Sequence, residues 1–491
     1  MKKLIISRLF LYKHRFGIGY FLLFAAFLAL LILLPMITPN GLSEAEIESA
    51  ITSNNVSVDS VMSGEVVDLP YHALQKVSIK FLGLNPYALK LPSIIIGFFL
   101  GILFILLLNR WFKNNVAIIT SIIAVLSSSF LYLAGSGTPL IMLVFWPTLL
   151  LWLGSKIQGK NKPKPIYSFI FAIFLLLSVM TPYLVYLAVF IALFVLVHPH
   201  LRHTIKQLPK VPLILVSLIV LAGFGFIGYI TFGHPTTITT LMFMSNFSFN
   251  QFFNNIQTAF LPFFSWGGRV ESTFLSPMIG LASFALAITG LISTARGFFA
   301  SRNSLATYLI IFTVLIAGLH PDCAVLLILP LAILIAHGIR YILNKWYSLF
   351  PENPYARVFA IFPIGVFLGI MIISDISHFI FGYRYNPPVA NQFNNDLVLI
   401  RQHVEDDTTL LVPAGTAEYD FYKIIEQRGD QPIWQPTTTP LHITSNVTEV
   451  TTPKIASLGK WQNSLDNYRL ERIITSSKSE NSDRIYIYTA N

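Results

Sequence analysis

The 491-residue chain is 54% hydrophobic and only 11% charged, against about 25% charged in a soluble domain, which excludes a cytosolic enzyme, a disordered scaffold and a fibrous protein. Its mean hydropathy of +0.66 indicates a polytopic membrane protein, and its one cysteine, Cys323, excludes an intrachain disulfide and any cysteine-based metal cluster. The net charge of +10 raises nucleic acid as a partner, a reading that the placement of the charges removes.

A bilayer core about 30 Å thick takes roughly 20 apolar helical residues. Eleven such runs follow in chain order, near Phe16–Ile37, Leu91–Leu108, Val116–Leu133, Leu140–Gly154, Ile166–Thr181, Tyr183–Val197, Val211–Phe232, Pro277–Ser293, Leu305–Leu319, Ala324–Ile339 and Val358–Ile373. The first lacks a small-residue cleavage site and reads as a signal anchor. Two connections are long, 38–90 after the first run and 233–276 after the seventh. In the second, phenylalanines from Phe247 to Phe264 alternate with Asn and Gln at helical spacing, which predicts an amphipathic helix at the membrane interface. From about Asp375 the chain turns polar. Its predicted elements are a helix over Asn394–Val404, a strand over Thr408–Val412, a helix over Ala417–Gln427, and strands over Arg472–Thr475 and Arg484–Tyr488. The expected fold class is therefore mainly α, with about 11 transmembrane helices in residues 1–380 and a small C-terminal α/β domain in 381–491.

Sidedness follows from the Lys and Arg positions. With the N-terminus in the cytoplasm and eleven alternating crossings, the inner segments hold nineteen of the 33 basic residues and one acid, Glu352. The basic excess thus reads as a topology signal and an attraction to anionic lipid, with no nucleic-acid patch. Both long connections and the tail fall on the extracytoplasmic side of a multi-pass plasma-membrane protein. Long loops tend to carry function, so chemistry is expected there. The predicted spans carry no Asp, Glu, Lys or Arg at mid-depth and show no internal repeat, which disfavours a transporter.

Several short stretches carry a resemblance. Asp68-Leu-Pro-Tyr-His72 leads into Phe81-Leu-Gly-Leu-Asn-Pro-Tyr-Ala-Leu-Lys-Leu-Pro-Ser93, an apolar run and a basic turn, Asn109-Arg-Trp-Phe-Lys113. Later come Phe264-Ser-Trp-Gly-Gly-Arg269 with Leu275-Ser-Pro277, then His320-Pro-Asp322 and Leu329-Pro-Leu331. Over roughly residues 1–380 this layout resembles the GT-C class of integral-membrane glycosyltransferases, in the protein-mannosyltransferase and aminoarabinose-transferase branch. The resemblance implies an inverting transfer of a sugar from a polyprenyl-phosphate donor to an acceptor at the outer face, with an acid at the start of the first outer loop as base. The acceptor, whether protein, lipid or wall polymer, stays open.

The family's Asp-Glu pair reads Ser43-Glu44 here, or Ala45-Glu46 one register later, and its aspartate is absent. Glu44 and Glu46 are the catalytic candidates. Ser43 with Glu46 also makes a capping box at a helix start, the favoured reading for Glu46. A departing polyprenyl phosphate needs cations. Lys76 and Arg269 are the outer candidates, beside Trp266, whereas Lys90 reads as a snorkelling residue at a span end. His320 and Asp322 form a tight turn expected to meet substrate or to cap a helix, and Asp68 either lines the cleft or is a solvated loop acid. No residue spacing demands a metal, although the carboxylates suit a divalent cation. The alternative from another class is a catalytically silent GT-C-like scaffold or assembly subunit.

Overall fold

The computed structural model describes residues 15–38, 41–63, 67–157, 164–242, 248–265, 275–296, 301–349, 354–386, 389, 392–403, 408–411, 416–428, 434–437, 448–451, 468–475 and 484–490; the other residues lie outside the description. Apolar helices lie over all eleven runs. Helices α1 (Arg15–Ile37), α5 (Pro86–Trp111), α8 (Met142–Ile157), α12 (Lys210–Phe232), α17 (Ile328–Leu349) and α18 (Pro354–Tyr385) are the six long and apolar enough to cross a membrane alone. Helices α9 (Pro165–Val179), α10 (Val185–Val197), α15 (Leu281–Ala295) and α16 (Ser301–Leu319) are shorter and apolar. The third run, expected as one span, is two helices, α6 (Asn114–Val125) and α7 (Ser128–Gly135), bent by 63°. The break falls at serines: the Ser127 hydroxyl donates to the Ala124 carbonyl at 2.7 Å and Ser129 donates to the Met278 carbonyl. Hydroxyls that bond the backbone compete with the helical ladder and bend it.

The last run also differs from expectation. Helix α18 continues past Asp375 and past the expected boundary at 381 to Tyr385, and Asp375 is buried within it. A buried acid thus does sit inside a span. Its carboxylate lies where a Cβ on Gly280 would come 2.2 Å from Asp375 Oδ1, at the N-terminus of α15, where negative charge is favoured. The tightest helix pair is α15 with α17. A Cβ on Gly290 would come 1.9 Å from the Leu334 carbonyl oxygen, and one on Gly338 2.2 Å from that of Leu286. Small residues let backbones approach where lipid supplies no hydrophobic drive.

At one end of the bundle the charges are basic, and Arg110 Nη2 donates to the Ser155 carbonyl at 3.1 Å. At the other end the connections that alternating crossings would gather touch one another. The Gly137 amide reaches the first long connection, the Asp68 amide reaches Met180 between α9 and α10 at 2.9 Å, and the Tyr183 amide reaches Leu241 at 3.0 Å. Asn255 Nδ2 donates to the Gly318 and Leu319 carbonyls, both at 3.1 Å.

The first long connection folds as β1 (Leu42–Ser43), α2 (Glu44–Asn55), α3 (Val58–Met62) and α4 (Leu69–Leu82). The second carries α13 (Pro235–Met242) and α14 (Phe249–Phe264), and α11 (Pro199–Lys206) lies between α10 and α12. The tail holds β2 (Phe393–Asn394), α19 (Asp396–His403), β3 (Thr408–Leu411), α20 (Ala417–Arg428), β4 (Trp434–Thr437), β5 (Thr448–Thr451), β6 (Tyr468–Thr475) and β7 (Arg484–Ala490). Its five-stranded mixed sheet has order β4-β3-β5-β7-β6, with β3 parallel to β4 and β5, and β7 antiparallel to β5 and β6.

The tail does not stand apart. Leu42, Ile47, Ala50, Ile79 and Leu84 of the first connection share one hydrophobic core with Leu397, Ile400, Phe421, Ile425, Ile485 and Ile487 of the tail. Strand β2 pairs antiparallel with β1. Gly41 permits that pairing, because its φ is +94° and a Cβ there would come 2.4 Å from the Asn394 carbonyl oxygen. Arg401 donates to the Leu84 carbonyl at 2.9 Å, and Arg428 to that of Ile79 at 3.0 Å.

Candidate functional site

Helix α2 begins with the expected capping box. The Glu46 amide donates to Ser43 Oγ at 3.3 Å, and the Ser43 amide donates to Glu46 Oε2 at 2.9 Å. Glu46 does more than cap. It is fully buried, its Oε1 accepts the Gly137 amide at 2.6 Å, and Lys90 Nζ stands 3.9 Å away. Lys90 is buried rather than snorkelling, and it also donates to the Gly41 carbonyl at 3.0 Å. A charge withdrawn from water needs such partners. The signal for Lys90 was its place in Ala88-Leu-Lys-Leu-Pro-Ser93. Glu44, two residues before Glu46, is exposed on the first turn of α2.

Beneath this pair a neutral network fixes α2 against α4 and α5. Gln75 Nε2 donates to the Leu89 and Gly137 carbonyls, both at 2.9 Å. Gln75 Oε1 accepts the Ser49 and Ser53 hydroxyls at 2.8 and 2.6 Å, so the amide uses its full bonding capacity. With its proton committed to Gln75, the Ser53 hydroxyl accepts from His72 Nδ1 at 2.8 Å. Burial pulls the His72 imidazole down to about 4, which keeps it neutral. Lys76 is held by the Val56 carbonyl at the C-terminus of α2, where a cation suits the helix dipole.

Asp68 starts α4 in the left-handed region, with φ +55° and no side-chain cap. It is buried, and its Oδ1 has no hydrogen-bond partner among the described residues. Burial pushes its carboxyl up to about 7, against a smaller pull from the Thr181 hydroxyl. It is therefore no solvated loop acid. Together with Trp146 Nε1, which donates to Thr181 Oγ1 at 3.2 Å, Asp68 secures the turn that presents Tyr183, itself at φ +66°.

Tyr183 faces a cavity of about 280 Å³ lined by Thr239, Thr240, His320, Asp322 and Cys323 with Leu140, Leu143 and Pro182. Its ring lies 5.7 Å from that of His320. The Asp322 amide donates to His320 Nδ1 at 3.4 Å, and Asp322 Oδ2 lies 3.8 Å from Nδ1. Both side chains remain about one-third exposed, 35% for His320 and 27% for Asp322. Burial, then Cys323, Asp322 and Asp68, push the Tyr183 phenol above its ordinary range. Tyr183, Thr239 and Thr240 were not read from the sequence; the Thr181-Pro-Tyr183 interruption between two apolar runs was their one signal.

Alongside, an apolar groove of about 520 Å³ runs between α10, α14 and α16, lined by Tyr186, Phe190, Phe252, Phe312, Leu315 and Leu319 among others. Leu319 adjoins His320, and Tyr186 lies one turn beyond Tyr183, so groove and cavity are neighbours. The predicted amphipathic helix is α14, with Phe249, Phe253 and Phe264 exposed. The structure thus brings His320 and Asp322 into one cavity, with Asp68 under the turn that presents Tyr183. It buries Glu46 against Gly137 and Lys90, ties Lys76 to the end of α2, and leaves Glu44 at the surface. Arg269 and Trp266 lie outside the described residues. Among the described residues, no three His, Cys, Asp or Glu side chains are grouped to hold a metal ion.

No family profile matches the chain, and no curated protein sequence matches it. Solved structures do. ArnT from Cupriavidus metallidurans bound to undecaprenyl phosphate aligns with a TM-score of 0.52 at 12% identity, over 96% of this chain and 98% of that one. The same protein in its apo state aligns with a TM-score of 0.54 at 12% identity, again over 96% and 98%. At this identity the likeness is one of fold. The chain has the GT-C fold of ArnT, an aminoarabinose transferase, as the sequence resemblance implied, and it is a multi-pass membrane protein.

Proposed function

We propose that the chain is a glycosyltransferase that takes a sugar from a polyprenyl-phosphate carrier and passes it to an acceptor at the extracytoplasmic face of the plasma membrane, with the N-terminus inside and the tail outside. One feature carries the reading: an apolar groove along α10, α14 and α16 lies beside a cavity that presents His320, Asp322 and three hydroxyls between apolar walls. That pairing fits an amphiphile with a long apolar chain and a sugar head. The fold shared with a protein solved in complex with undecaprenyl phosphate supports the same class of donor.

In this reading the acceptor hydroxyl attacks the anomeric carbon, its proton passes to a carboxylate, and the polyprenyl phosphate leaves. Asp322 is the base, because its carboxylate lines the cavity and stays accessible. His320, beside Asp322 on the cavity wall, is placed to meet the leaving oxygen. Tyr183, Thr239 and Thr240 supply hydroxyls for the sugar. Asp68 and Glu46 are positioning residues. Glu46 Oε1 and Oε2 accept backbone amides, so it holds the wall instead of taking a proton. No Lys or Arg is among the described lining residues; Arg269, which lies outside the described residues, is the cation assigned to the departing phosphate from its place in the sequence. A divalent metal remains compatible with the carboxylates.

The reading is tested in membrane vesicles loaded with polyprenyl-phosphate sugars carrying a tritium label. Asp322→Asn is expected to lower transfer at least 100-fold and His320→Ala at least tenfold, with unchanged thermal stability. Wild-type transfer in both variants would remove Asp322 and His320 from the site, whereas no transfer by the wild-type chain from any polyprenyl-phosphate donor would favour the silent scaffold. The absent aspartate before Glu44 is the observation on that side.

A further inference from the structure

A second cavity lies at the basic end of the bundle, apart from the His320 and Asp322 cavity. It has a volume of about 240 Å³ and is almost wholly apolar, with Leu151, Gly154, Phe171 and Phe194 as walls and Leu201 and Ile205 of α11 as its cover. Phe190 and Phe194 also border the outer groove, so α10 lines both spaces.

Helix α11 is built for an interface. Leu201, Thr204 and Ile205 face inward, while Arg202, His203 and Lys206 are exposed. Its start is tied to α10 by the His198 amide, which donates to the Phe194 carbonyl at 2.9 Å, and by Arg202, which donates to the Leu196 carbonyl. Nearby, Arg110 grips the Ser155 carbonyl and the Lys156 ammonium stands 5.4 Å over the Trp152 ring. The described segments around this cavity, 109–115, 155–157 and 198–210, contain Lys and Arg and no acid at all.

We propose that this cavity binds one acyl chain of an anionic glycerophospholipid from the leaflet at the basic end, with Arg202 and Lys206 holding the phosphate headgroup. The cavity alone would accept any hydrocarbon chain. The headgroup choice comes from the cations on the outer side of its cover, since such residues are drawn to anionic lipid and are screened within a Debye length. The site would anchor α10, which also lines the donor groove, yet the binding proposal stands without any sugar transfer.

Gly154 gives a clean perturbation. A Cβ there meets only Phe171 Cε2 at 3.9 Å, so Gly154→Leu extends into free space. The full chain, delipidated in detergent, is titrated with dioleoyl phosphatidylglycerol and separately with dioleoyl phosphatidylcholine, and bound lipid is counted by native mass spectrometry. One tightly held phosphatidylglycerol is expected, at least tenfold preferred over phosphatidylcholine. Gly154→Leu is expected to lower that affinity at least tenfold. The double variant Arg202→Gln/Lys206→Gln, changed only at exposed positions, is expected to bind both lipids alike. Should Gly154→Leu fail to fold, the charge variant decides. Equal binding of the two lipids by the wild-type chain, an unaltered preference in the charge variant, or displacement of the bound lipid by polyprenyl phosphate would overturn the proposal, the last assigning the cavity to the carrier.

Discussion

The buried pair Glu46–Lys90 offers a quantitative test of how the first connection is held. Lys90 is 3% exposed and Glu46 0%, with Nζ and Oε1 3.9 Å apart. Were the pair at the surface it would contribute only about 0.2–1 kcal/mol. Buried, removal of one partner strands the other charge and costs about 3–5 kcal/mol. Glu46→Ala also orphans the Gly137 and Ser43 amides, each worth about 1–3 kcal/mol when left buried and unpaired. It should therefore be the worse single change. Lys90→Met leaves Glu46 with both amides and should sit near 3 kcal/mol. For the cycle, Glu46→Gln and Lys90→Met are combined; the double variant removes both charges, keeps an acceptor for one amide, and should recover about 2 kcal/mol relative to the sum of those two single variants. Equilibrium unfolding in mixed detergent micelles measures all four corners of the cycle. Costs that add to within about 0.5 kcal/mol would refute the reasoning, because independent sites behave that way.

Three further outcomes follow from the packing. The Asp68 carboxyl, raised from 3.8 to about 7 by burial, stays protonated in the folded chain where the unfolded chain has ionised. Folding then binds a proton between about pH 4 and 7, so stability falls as pH rises through that window, by roughly 4 kcal/mol in all; Asp68→Asn should remove this component and be the more stable chain above pH 7, and an unchanged slope in unfolding at pH 5 and 8 would contradict the assignment. Gly338→Ala puts a methyl 2.2 Å from the Leu286 carbonyl oxygen and should cost at least about 1–3 kcal/mol by prising α15 from α17, read as a lower thermal midpoint; a midpoint equal to wild type would exclude that contact. Phe421→Ala should cost about 3–5 kcal/mol and, because Phe421 shares a core with Ile47 and Ala50, should make the 38–85 connection as susceptible to protease as the tail, whereas cleavage confined to the tail would separate the two.

The helices were legible because a membrane leaves an unambiguous mark on a sequence: every apolar run became a helix. The capping box at Ser43 was legible for the same reason, since its partners lie three residues apart. What sequence did not reveal depends on distant partners. Lys90 looked like a span-end residue until Gly41 and Glu46 arrived from the first connection. Lys76 looked available until the Val56 carbonyl took it. The third run read as continuous because Ser127 and Ser129 are tolerated in an apolar window, and what breaks the helix is the hydrogen bonds they make. The tail's helices α19 and α20 were visible from their spacing, whereas β4 and β5 were missed, being short and mixed in composition. The core that the tail shares with the first connection has no local signature at all. His320 and Asp322 were found from a motif, but their neighbours Tyr183, Thr239 and Thr240 come from other elements and only the fold gathers them.

The central claim is that a polyprenyl carrier lies in the groove of α10, α14 and α16 with its head at His320. Photolabelling with a polyprenyl phosphate bearing a diazirine on its lipid chain, followed by peptide mapping, tests it directly. The account predicts saturable label on Phe252, Leu315 and their groove neighbours, competed by unlabelled polyprenyl phosphate. Label confined to other helices, or label that neither saturates nor competes, would contradict it.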